Sequence, residues 1–564
     1  MKRRRLLRDT AIALLLLVVF GYVLYPQIVM LSGSLRVGGR FSFDRYAVLF
    51  DLRNSANVEA VSNSLILSTL SVVFSAIIGG LFAFTFTQIR FPLGKISSRL
   101  AVLPIALPPL VGVIAFLFVF GESGFLPRIL QKVLMLRNVP FYLNGFNAVV
   151  AVHVYSFYVY FYLFISTSLR QLDGSLIEAA SSLGSSSWNT FRRVILPELR
   201  PAIIGASLLT FMTSMASFSA PLIFGGEHRF LTTQIYSTKL NGEMDAAAAQ
   251  SMLLTLVSVG FFLVLTFSWK AVEGARRTKG AVRPAEIRIS PLTRRVLIGL
   301  IGFLLLLEVL PILTLIVISF VKEGSWTWQM FPSSYTTENY AKLFLDPRVF
   351  EPIRNSVVMA GLAVLAGLIV GVIASFVLVK GGLKKGRIAL DLLLSLSYAI
   401  PGTVIAIGLI YTFNSPIPLG GFTVLVGTFW ILPLAYFIRS YPLVIQSTSA
   451  SLEHLDDSLM EAGEALGAWF FKRFWSIALP LILPGIVAGC LLAAILGLGE
   501  FVSSILLYTY SSRPISIEIL SQLRGYNFGA AAAYSIFLLI LIFLLTTLSL
   551  RLTRRKVGGD AIGF

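Results

Sequence analysis

The sequence predicts an all-α polytopic membrane protein with about 12 transmembrane helices in two parallel six-helix units. The first observation is composition: of 564 residues, 56% are hydrophobic and only 13% are charged. That charged share is about half the usual value for a soluble domain. The second observation is that apolar stretches able to cross roughly 30 Å of hydrocarbon recur along the whole chain. The third is that the two halves resemble each other.

Twelve stretches are predicted to span the membrane, and none of them contains lysine or arginine. The first follows four residues rich in arginine but lacks a small-residue cleavage site, so we predict a retained anchor and not a signal peptide. The predicted spans are residues 11–31, 64–88, 100–120, 148–168, 203–223, 251–269, 296–320, 356–379, 390–413, 422–438, 482–507 and 530–550.

Basic residues predict the direction of the chain. With the amino terminus in the cytoplasm, 31 of the 46 Lys and Arg residues lie in cytoplasmic segments and 15 lie outside. Positive charge concentrates on the cytoplasmic side of membrane proteins, so both termini are predicted to be cytoplasmic. The net charge of +19 is then explained by basic residues that orient the spans and contact anionic lipid at the cytoplasmic surface. Nucleic acid is therefore not expected as a partner.

Several kinds of site are excluded by residue type. Cys490 is the only cysteine, so neither a disulfide framework nor a cysteine-ligated metal is expected. His153, His228 and His454 are scattered along the sequence, which argues against a histidine metal cage. No nucleophile–base pair or carboxylate pair suggests a membrane enzyme, and we predict no metal site.

An internal repeat organises the chain. The pattern Ser-Leu-x-x-Leu-Asp-x-Ser-Leu-x-Glu-Ala begins at Ser168 and again at Ser451, an offset of 283 residues. Asn63 and Pro108 have counterparts in Asn355 and Pro401 at slightly larger offsets. An even number of spans in each half makes the repeat parallel. We predict a first unit of residues 1–269, a basic cytoplasmic linker of residues 270–295 and a second unit of residues 296–564.

The segment between the fourth and fifth spans of each half is repeated with identical spacing. We name residues 170–200 the first repeat loop and residues 453–483 the second repeat loop. Each is predicted to form a helix, a break and a second helix. Ser175 and Glu178 are candidates for a capping box at the start of the first helix, and Gly184 suits a left-handed residue at its end. The second helix is expected to end at Pro197. The corresponding residues of the second repeat loop are Ser458, Glu461, Gly467 and Pro480.

These loops resemble the EAA-x3-G-x9-I-x-L-P signature of permease subunits in binding-protein-dependent ABC importers. The resemblance implies two type I ABC importer permease units fused in one chain. It also implies that each loop couples to one ATP-binding subunit. Gly463 replaces the second alanine and Val194 replaces the isoleucine, both without adding bulk. The implied coupling residues are Glu178, Ala179, Ala180, Gly184, Leu196, Pro197, Glu461, Ala462, Gly463, Gly467, Leu479 and Pro480.

The same resemblance implies the partners. The sequence contains no Gly-x4-Gly-Lys-Ser/Thr run, so this chain cannot cradle ATP itself. ATP and Mg²⁺ are expected on partner ATPase subunits, and this chain is expected to bind no cofactor and to be no enzyme. Its outside loops are too short to form a capture domain, so a separate extracytoplasmic substrate-binding protein is implied. The expected location is the bacterial inner membrane.

The fused layout is most similar to the ferric-iron permeases, although thiamine and phosphonate permeases share it. Residues 217–226 and 231–236 look closest to the iron type. Gly499-Glu500-Phe501 is similar to a motif of molybdate and sulfate permeases, which points to the superfamily and not to one solute. Ferric iron is therefore the expected cargo, with thiamine and phosphonate as alternatives.

Glu308 and Glu500 are carboxylates inside predicted spans, where an ionised group costs roughly 2.5–3.5 kcal/mol. Glu500 matches Ser217 of the other half, and both are candidates for the transport pathway or its gate; a helix–helix hydrogen bond is the alternative for Glu500. Glu308 lies in the first span of its half, and we expect a protonated or lipid-edge residue there. The tyrosines at 155, 158, 160 and 162 cannot all face one way on a helix, which favours packing over metal binding.

The main rival is a secondary transporter with two parallel six-span halves. Such carriers usually place charged residues inside spans for ion coupling, whereas the predicted spans contain no basic residue. They also carry a charged signature between the second and third spans. Here that segment offers only Arg90, Lys95 and Arg99.

Overall fold

The computed structural model describes residues 2–51, 55–275, 290–326, 329, 331–383 and 386–554, and these are mostly helical. A two-stranded antiparallel ribbon pairs Arg36–Val37 with Arg40–Phe41. The helices of the first half are Lys2–Val19, Phe20–Leu24 (a π-turn), Tyr25–Ser34, Asp44–Phe50, Ser55–Gln88, Gly94–Leu100, Leu103–Ala106, Pro109–Phe120, Phe125–Val133, Gly145–Arg170, Gly174–Ser182, Ser187–Thr190, Phe191–Ile195 (a π-turn), Leu196–Met215, Ser219–Phe224, Leu231–Leu240 and Met244–Ala275.

The second half repeats this order from residue 291. Its helices are Pro291–Ser319, Glu338–Leu345, Pro347–Lys380, Arg387–Ala399, Gly402–Phe413, Pro418–Gly420 (a 3₁₀ turn), Ile431–Glu453, Asp457–Ala465, Phe470–Arg473, Phe474–Ala478 (a π-turn), Leu479–Leu498, Ser504–Leu507, Ile515–Arg524 and Phe528–Arg554. Of the predicted linker, the described ends are helical as far as Ala275 and again from Pro291. Residues 276–289 lie outside the described part.

Ten described helices are long and apolar enough to cross a membrane, and the bent pair Arg387–Ala399 and Gly402–Phe413 makes an eleventh span. The prediction of a span at residues 422–438 was wrong. Residues 422–430 form turns, and the helix at this position runs over Ile431–Glu453. It contains Arg439, whose charge interrupts the apolar run and led to the misplaced boundary.

The third span of each half is broken and not a single straight helix. The helices Arg387–Ala399 and Gly402–Phe413 meet at an angle of 97° around Pro401. In the first half, Pro108 follows the short helix Leu103–Ala106 and precedes Pro109–Phe120. Proline lacks a backbone N–H and disfavours a helical conformation at the residue before it. The third spans of both units therefore break at equivalent prolines.

The repeat recurs in the hydrogen bonds of each unit. The Asn63 side chain donates to the Arg229 carbonyl at 3.0 Å, and the Asn355 side chain donates to the Arg513 carbonyl at 3.2 Å. The hydroxyls of the serines that follow, Ser64 and Ser356, each accept a backbone N–H at 2.8 Å. Both units therefore fix the loop after the fifth span to the second span through the same two side chains.

Each unit's first helix packs against the other unit. The helix Tyr25–Ser34 contacts Gly402–Phe413, and Pro291–Ser319 contacts Pro109–Phe120. The Tyr22 hydroxyl donates to the Leu419 carbonyl at 3.0 Å across this boundary. The exchange of first helices joins the two units along a shared central interface.

Candidate functional site

Both repeat loops begin with a nine-residue helix, Gly174–Ser182 and Asp457–Ala465. The prediction that Ser175 and Ser458 cap these helices was wrong. Asp173 accepts the Ser175 N–H at 3.0 Å, and Asp456 accepts the Ser458 N–H at 2.9 Å. The hydrogen bonds from Ser458 lower the pKa of Asp456 below its ordinary value. The carboxylate is therefore ionised and able to cap the helix at neutral pH.

The end of each first helix agrees with the prediction. Gly184 has a φ of +75° and Gly467 has a φ of +78°. The N–H of the next residue returns to a helix carbonyl, from Ser185 to Ala180 and from Ala468 to Gly463, both at 3.0 Å. This is the hydrogen-bond pattern of a glycine-terminated helix, so each loop turns sharply at the same residue.

The second helix of each loop does not end at the proline. In the first loop the chain passes from Ser187–Thr190 through the π-turn Phe191–Ile195 into Leu196–Met215, and the second loop does the same. A π-turn inserts one extra residue into a helix. It lets the helix continue past a proline, which has no backbone N–H to donate. The break predicted at Pro197 and Pro480 is therefore absorbed inside a helix that continues into the fifth span.

The exposed faces of the two loops are alike. Leu183 and Leu466 precede the turning glycines, and each is 88% exposed. One helical turn or more earlier, Leu176 and Leu459 are 44% and 45% exposed. These four leucines were not predicted as site residues, although the 283-residue offset relates both pairs. Exposed large apolar side chains repeated on two equivalent loops indicate a binding surface.

The signature residues contribute small size and charge to the same surface. Glu178, Ala179, Glu461 and Ala462 are exposed, and Ala180 is half-buried. The N–H groups of Ser175 and Ser458 donate to Asp173 and Asp456 and not to Glu178 and Glu461, so the predicted capping boxes are not formed. Both glutamates remain available to a cationic partner.

The two loops differ beneath the helix. In the second loop Arg473 is only 5% exposed, donates to the Met460 carbonyl at 3.1 Å and pairs with Glu464. A side chain at Gly463 would place its Cβ 2.8 Å from Ile477 and 3.2 Å from Arg473. The glycine that departs from the signature therefore makes room for the arginine. The first loop has Thr190 at the position of Arg473 and Ala180 at the position of Gly463.

We expect Gly467→Val to reduce ATP-driven uptake several-fold while the protein remains folded. No heavy atom lies within 4 Å of an added Cβ, so the penalty arises from the positive φ. A left-handed conformation costs a residue with a side chain about 1–2 kcal/mol, and this favours a reshaped turn beside Leu466. Uptake in proteoliposomes and elution on size exclusion are the measurements.

Gly242→Val is the matched control. Gly242 has a φ of +83°, also has open space around an added Cβ, and follows a helix outside both repeat loops. Equal uptake by the two variants would contradict a special role for the turn at Gly467.

The two predicted pathway residues, Ser217 and Glu500, lie in equivalent helix breaks. The fifth span of the first unit ends at Met215, and that of the second unit ends at Leu498, so Glu500 lies beyond the helix in which it was predicted. The adjacent Phe218 and Phe501 rings meet across the units with centroids 5.9 Å apart. Irregular backbone at membrane depth is tolerated where protein or a water-filled path surrounds it. Both residues therefore lie at the central interface.

Around Ser217 the polar groups form what we call the serine–histidine cluster: Ser71, His153, Ser214 and Ser217. One ring nitrogen of His153 bonds to Ser217 at 2.8 Å. The other bonds to Ser214 at 2.9 Å and to Ser71 at 3.1 Å. His153 is 1% exposed, and the Ser71, Ser214 and Ser217 groups that bond to its ring nitrogens are hydroxyls. No role was predicted for this histidine, because its partners lie on two other helices and in the break at Ser217.

Around Glu500 the equivalent position holds the arginine–glutamate cluster: Arg439, Glu500 and Ser503. Arg439 Nη1 donates to Glu500 at 2.5 Å. The other carboxylate oxygen accepts the Ser503 N–H at 2.9 Å and its hydroxyl at 2.8 Å. The prediction that no span contains a basic residue was therefore wrong, and it no longer argues against a secondary transporter. An intramembrane arginine is tolerated here because a carboxylate neutralises it.

Glu308 is not at the lipid edge. It is 3% exposed in the helix Pro291–Ser319, which packs against the first unit. Its backbone carbonyl accepts the Tyr155 hydroxyl at 3.3 Å. Tyr158 and Tyr162 donate to the carbonyls of Ala101 and Ser98 at 2.9 and 3.4 Å, as expected for packing residues. In the described ranges, no group of three His, Cys, Asp or Glu residues could hold a metal ion.

Comparison with known proteins identifies the class of protein that this fold and these loops define. The family model described as "Binding-protein-dependent transport system inner membrane component" matches residues 71–278 and again residues 363–557. The chain belongs to this family and carries two of its units fused in one polypeptide. It is a multi-pass transport subunit of the membrane that works with a substrate-binding protein.

Relatives cover most of the chain. A probable ABC transporter permease, y4fN of Sinorhizobium fredii, is 30% identical over 89% of this chain and 88% of its own length. The ferric transport system permease FbpB of Actinobacillus pleuropneumoniae is 26% identical over 94% of this chain and 76% of its own. The spermidine/putrescine permease PotB of Salmonella typhimurium is 31% identical over 47% of this chain and 95% of its own.

Proposed function

We propose that the chain forms the transmembrane path of an ATP-driven importer and that each repeat loop docks into one partner ATP-binding subunit. The observation that carries this proposal is the equivalence of the loops. Both present a nine-residue helix, a turning glycine and a leucine that is 88% exposed. Two equivalent docking surfaces suit two copies of one ATP-binding subunit, because a repeated surface can bind the same partner twice.

The docking surface follows from these side chains. Leu183 and Leu466 would enter an apolar cleft of the partner, and Glu178 and Glu461 would meet basic groups at its rim. The exposed small residues Ala179 and Ala462 allow close approach of the partner's backbone. Each π-turn leads without interruption into a fifth span, so movement of a loop would be transmitted directly to the breaks at Ser217 and Glu500. ATP and Mg²⁺ would be held by the partner subunits.

Ferric iron is the cargo we propose. The ferric relative FbpB aligns with 94% of this chain, whereas the spermidine/putrescine relative aligns with 47% of it. The fused layout of two units supports the same choice. Independently of the cargo, we propose that both chain termini and both repeat loops face the cytoplasm, in keeping with the excess of basic residues in those segments. Thiamine and phosphonate are the alternatives that the test below separates.

The test is uptake by the complete complex in proteoliposomes. The chain is co-expressed with its ATPase subunits and binding protein, and ⁵⁵Fe uptake is followed with ATP inside the vesicles. We expect uptake that needs ATP and the loaded binding protein, is blocked by vanadate, and is indifferent to a proton uncoupler. Dependence on the proton gradient alone would overturn the importer mechanism. Uptake of thiamine or a phosphonate without iron would overturn the choice of cargo.

A further inference from the structure

Near the interface of the two units, the first unit has the serine–histidine cluster and the second has the arginine–glutamate cluster. Phe218 and Phe501 face each other across the units, and the Cβ of a residue at position 499 would lie 3.2 Å from Pro108 of the first unit. Glu500 lies between these two contacts. In transporters built from two repeats, the solute site lies at the repeat interface near the membrane midplane. Ser217 and the arginine–glutamate cluster are therefore placed to meet the solute.

Within the arginine–glutamate cluster the two charges differ in accessibility. The Glu500 side chain is 3% exposed, and its two oxygens accept three hydrogen bonds, from Arg439 and Ser503. The Arg439 side chain is 25% exposed. Its hydrogen bond to Glu500 is made through Nη1. The carboxylate is thus held inward, and the accessible pole of the pair is the guanidinium with donors to spare.

The surroundings of Arg439 leave this pole open. Nη1 lies over Gly402, where an added Cβ would come within 2.5 Å of it. Gly402 follows the break at Pro401, so the missing side chain lets the guanidinium reach the interface. Tyr398, which is 45% exposed, lies on the same broken span. The opposing serine–histidine cluster presents hydroxyls and a buried imidazole, and no carboxylate is among its partners.

We infer that Arg439 forms an anion subsite on the transport path and that the solute passes it with an anionic oxygen group in contact with the guanidinium. The planar fork of arginine binds carboxylate and phosphate oxygens with two parallel hydrogen bonds. Because Glu500 is the buried partner, the accessible end of this ion pair is positive, and in a low-dielectric passage it attracts anions and disfavours a bare trivalent cation. This inference rests on the proposed importer function. It implies that iron would cross as a complex whose ligands carry negative charge.

A double-mutant cycle tests whether the arginine acts on the solute or only neutralises Glu500. We expect R439Q to lower ATP-driven uptake by about tenfold or more. Losses of this size in binding are typical when one partner of a buried charged contact is removed. The double variant R439Q/E500Q removes both charges and should remain as impaired as R439Q. A purely structural ion pair predicts the opposite. Recovery of the double variant to within about twofold of wild type would overturn the inference.

The chain supplies a matched control pair. Arg513 and Glu518 are 2.8 Å apart with side-chain exposures of 25% and 5%, close to those of Arg439 and Glu500. They lie in the loop and helix that follow Glu500. R513Q/E518Q should transport like the wild type. Size exclusion and ATP hydrolysis stimulated by the loaded binding protein would verify that every variant is folded and docked.

Isotope labels separate the two sources of the anionic group. Binding protein loaded with ⁵⁵Fe and [¹⁴C]citrate tests a ligand on iron, and [³²P]phosphate tests a free oxyanion. Entry of both labels together, lost in R439Q, supports an iron complex. Phosphate uptake that is lost in R439Q, without iron uptake, keeps the anion subsite and overturns ferric iron as the cargo. Entry of ⁵⁵Fe without any anion label, unchanged in R439Q, overturns the anion subsite alone.

Discussion

Replacing both Leu183 and Leu466 by aspartate is expected to reduce ATP-driven uptake by about a hundredfold or more. Both side chains are 88% exposed in this chain. Under the proposed docking each would be buried in a partner, and full burial of a leucine contributes about 1.5–3 kcal/mol. Two such losses, with a carboxylate forced into each apolar cleft, exceed the roughly 2.7 kcal/mol that corresponds to a hundredfold change in binding.

The measurement has two parts. The amount of ATPase that co-purifies with the membrane chain reports docking, and uptake in proteoliposomes reports transport. Each single variant, Leu183→Asp or Leu466→Asp, should retain part of the ATPase, because the other loop is intact. Both values should fall together in the double variant.

Leu345→Asp is the control for a charged substitution at an exposed leucine. Leu345 is 80% exposed and ends the helix Glu338–Leu345, on the side of the membrane predicted to face outward. It should keep full ATPase and full uptake. A double loop variant that co-purifies with as much ATPase as Leu345→Asp would exclude the leucines from docking.

Much of the fold could be predicted because apolar length and sequence repetition are local properties. The span that was misplaced shows the limit of local reasoning. Arg439 was taken to end a span because a charge in hydrocarbon is costly, yet Glu500 offsets that cost from 61 residues away. The repeat contained the correct answer. The 283-residue offset moves the predicted span of residues 148–168 to residues 431–451, and the observed helix is Ile431–Glu453.

The candidate site shows the same division. Gly184 and Gly467 could be assigned from spacing, because a helix that ends in a tight turn favours glycine for steric reasons. The capping residues were misassigned because Asp173 and Ser175 both suit an N-cap, and only the backbone geometry distinguishes them. The partners of His153 lie on other helices far along the chain, so no local pattern brings them together.

Gly79→Ala is expected to destabilise the protein by at least about 2 kcal/mol. Gly79 lies where the helix Ser55–Gln88 crosses Gly145–Arg170. An added Cβ would lie 2.4 Å from the Tyr158 carbonyl oxygen, 2.5 Å from Phe161 Cβ and 2.9 Å from the Tyr162 nitrogen. Two of these atoms belong to backbone and cannot rotate away, so the helices must separate. Thermal unfolding of the purified protein in detergent would show the loss as a lower apparent Tm.

The neighbouring glycine provides a control that differs in sign. At Gly80 the nearest atom to an added Cβ is Ile165 Cδ1 at 3.9 Å, so Gly80→Ala causes no overlap. It should leave the apparent Tm unchanged or raise it, because alanine is more favourable than glycine in a helix by up to about 1 kcal/mol.

Gly371 occupies the equivalent crossing in the second unit, but there an added Cβ meets the Val444 side chain at 2.6 Å. Since a side chain can shift where a backbone cannot, Gly371→Ala should fall between the two. Equal melting of Gly79→Ala and Gly80→Ala would mean that close helix contact at this crossing does not hold the first unit together.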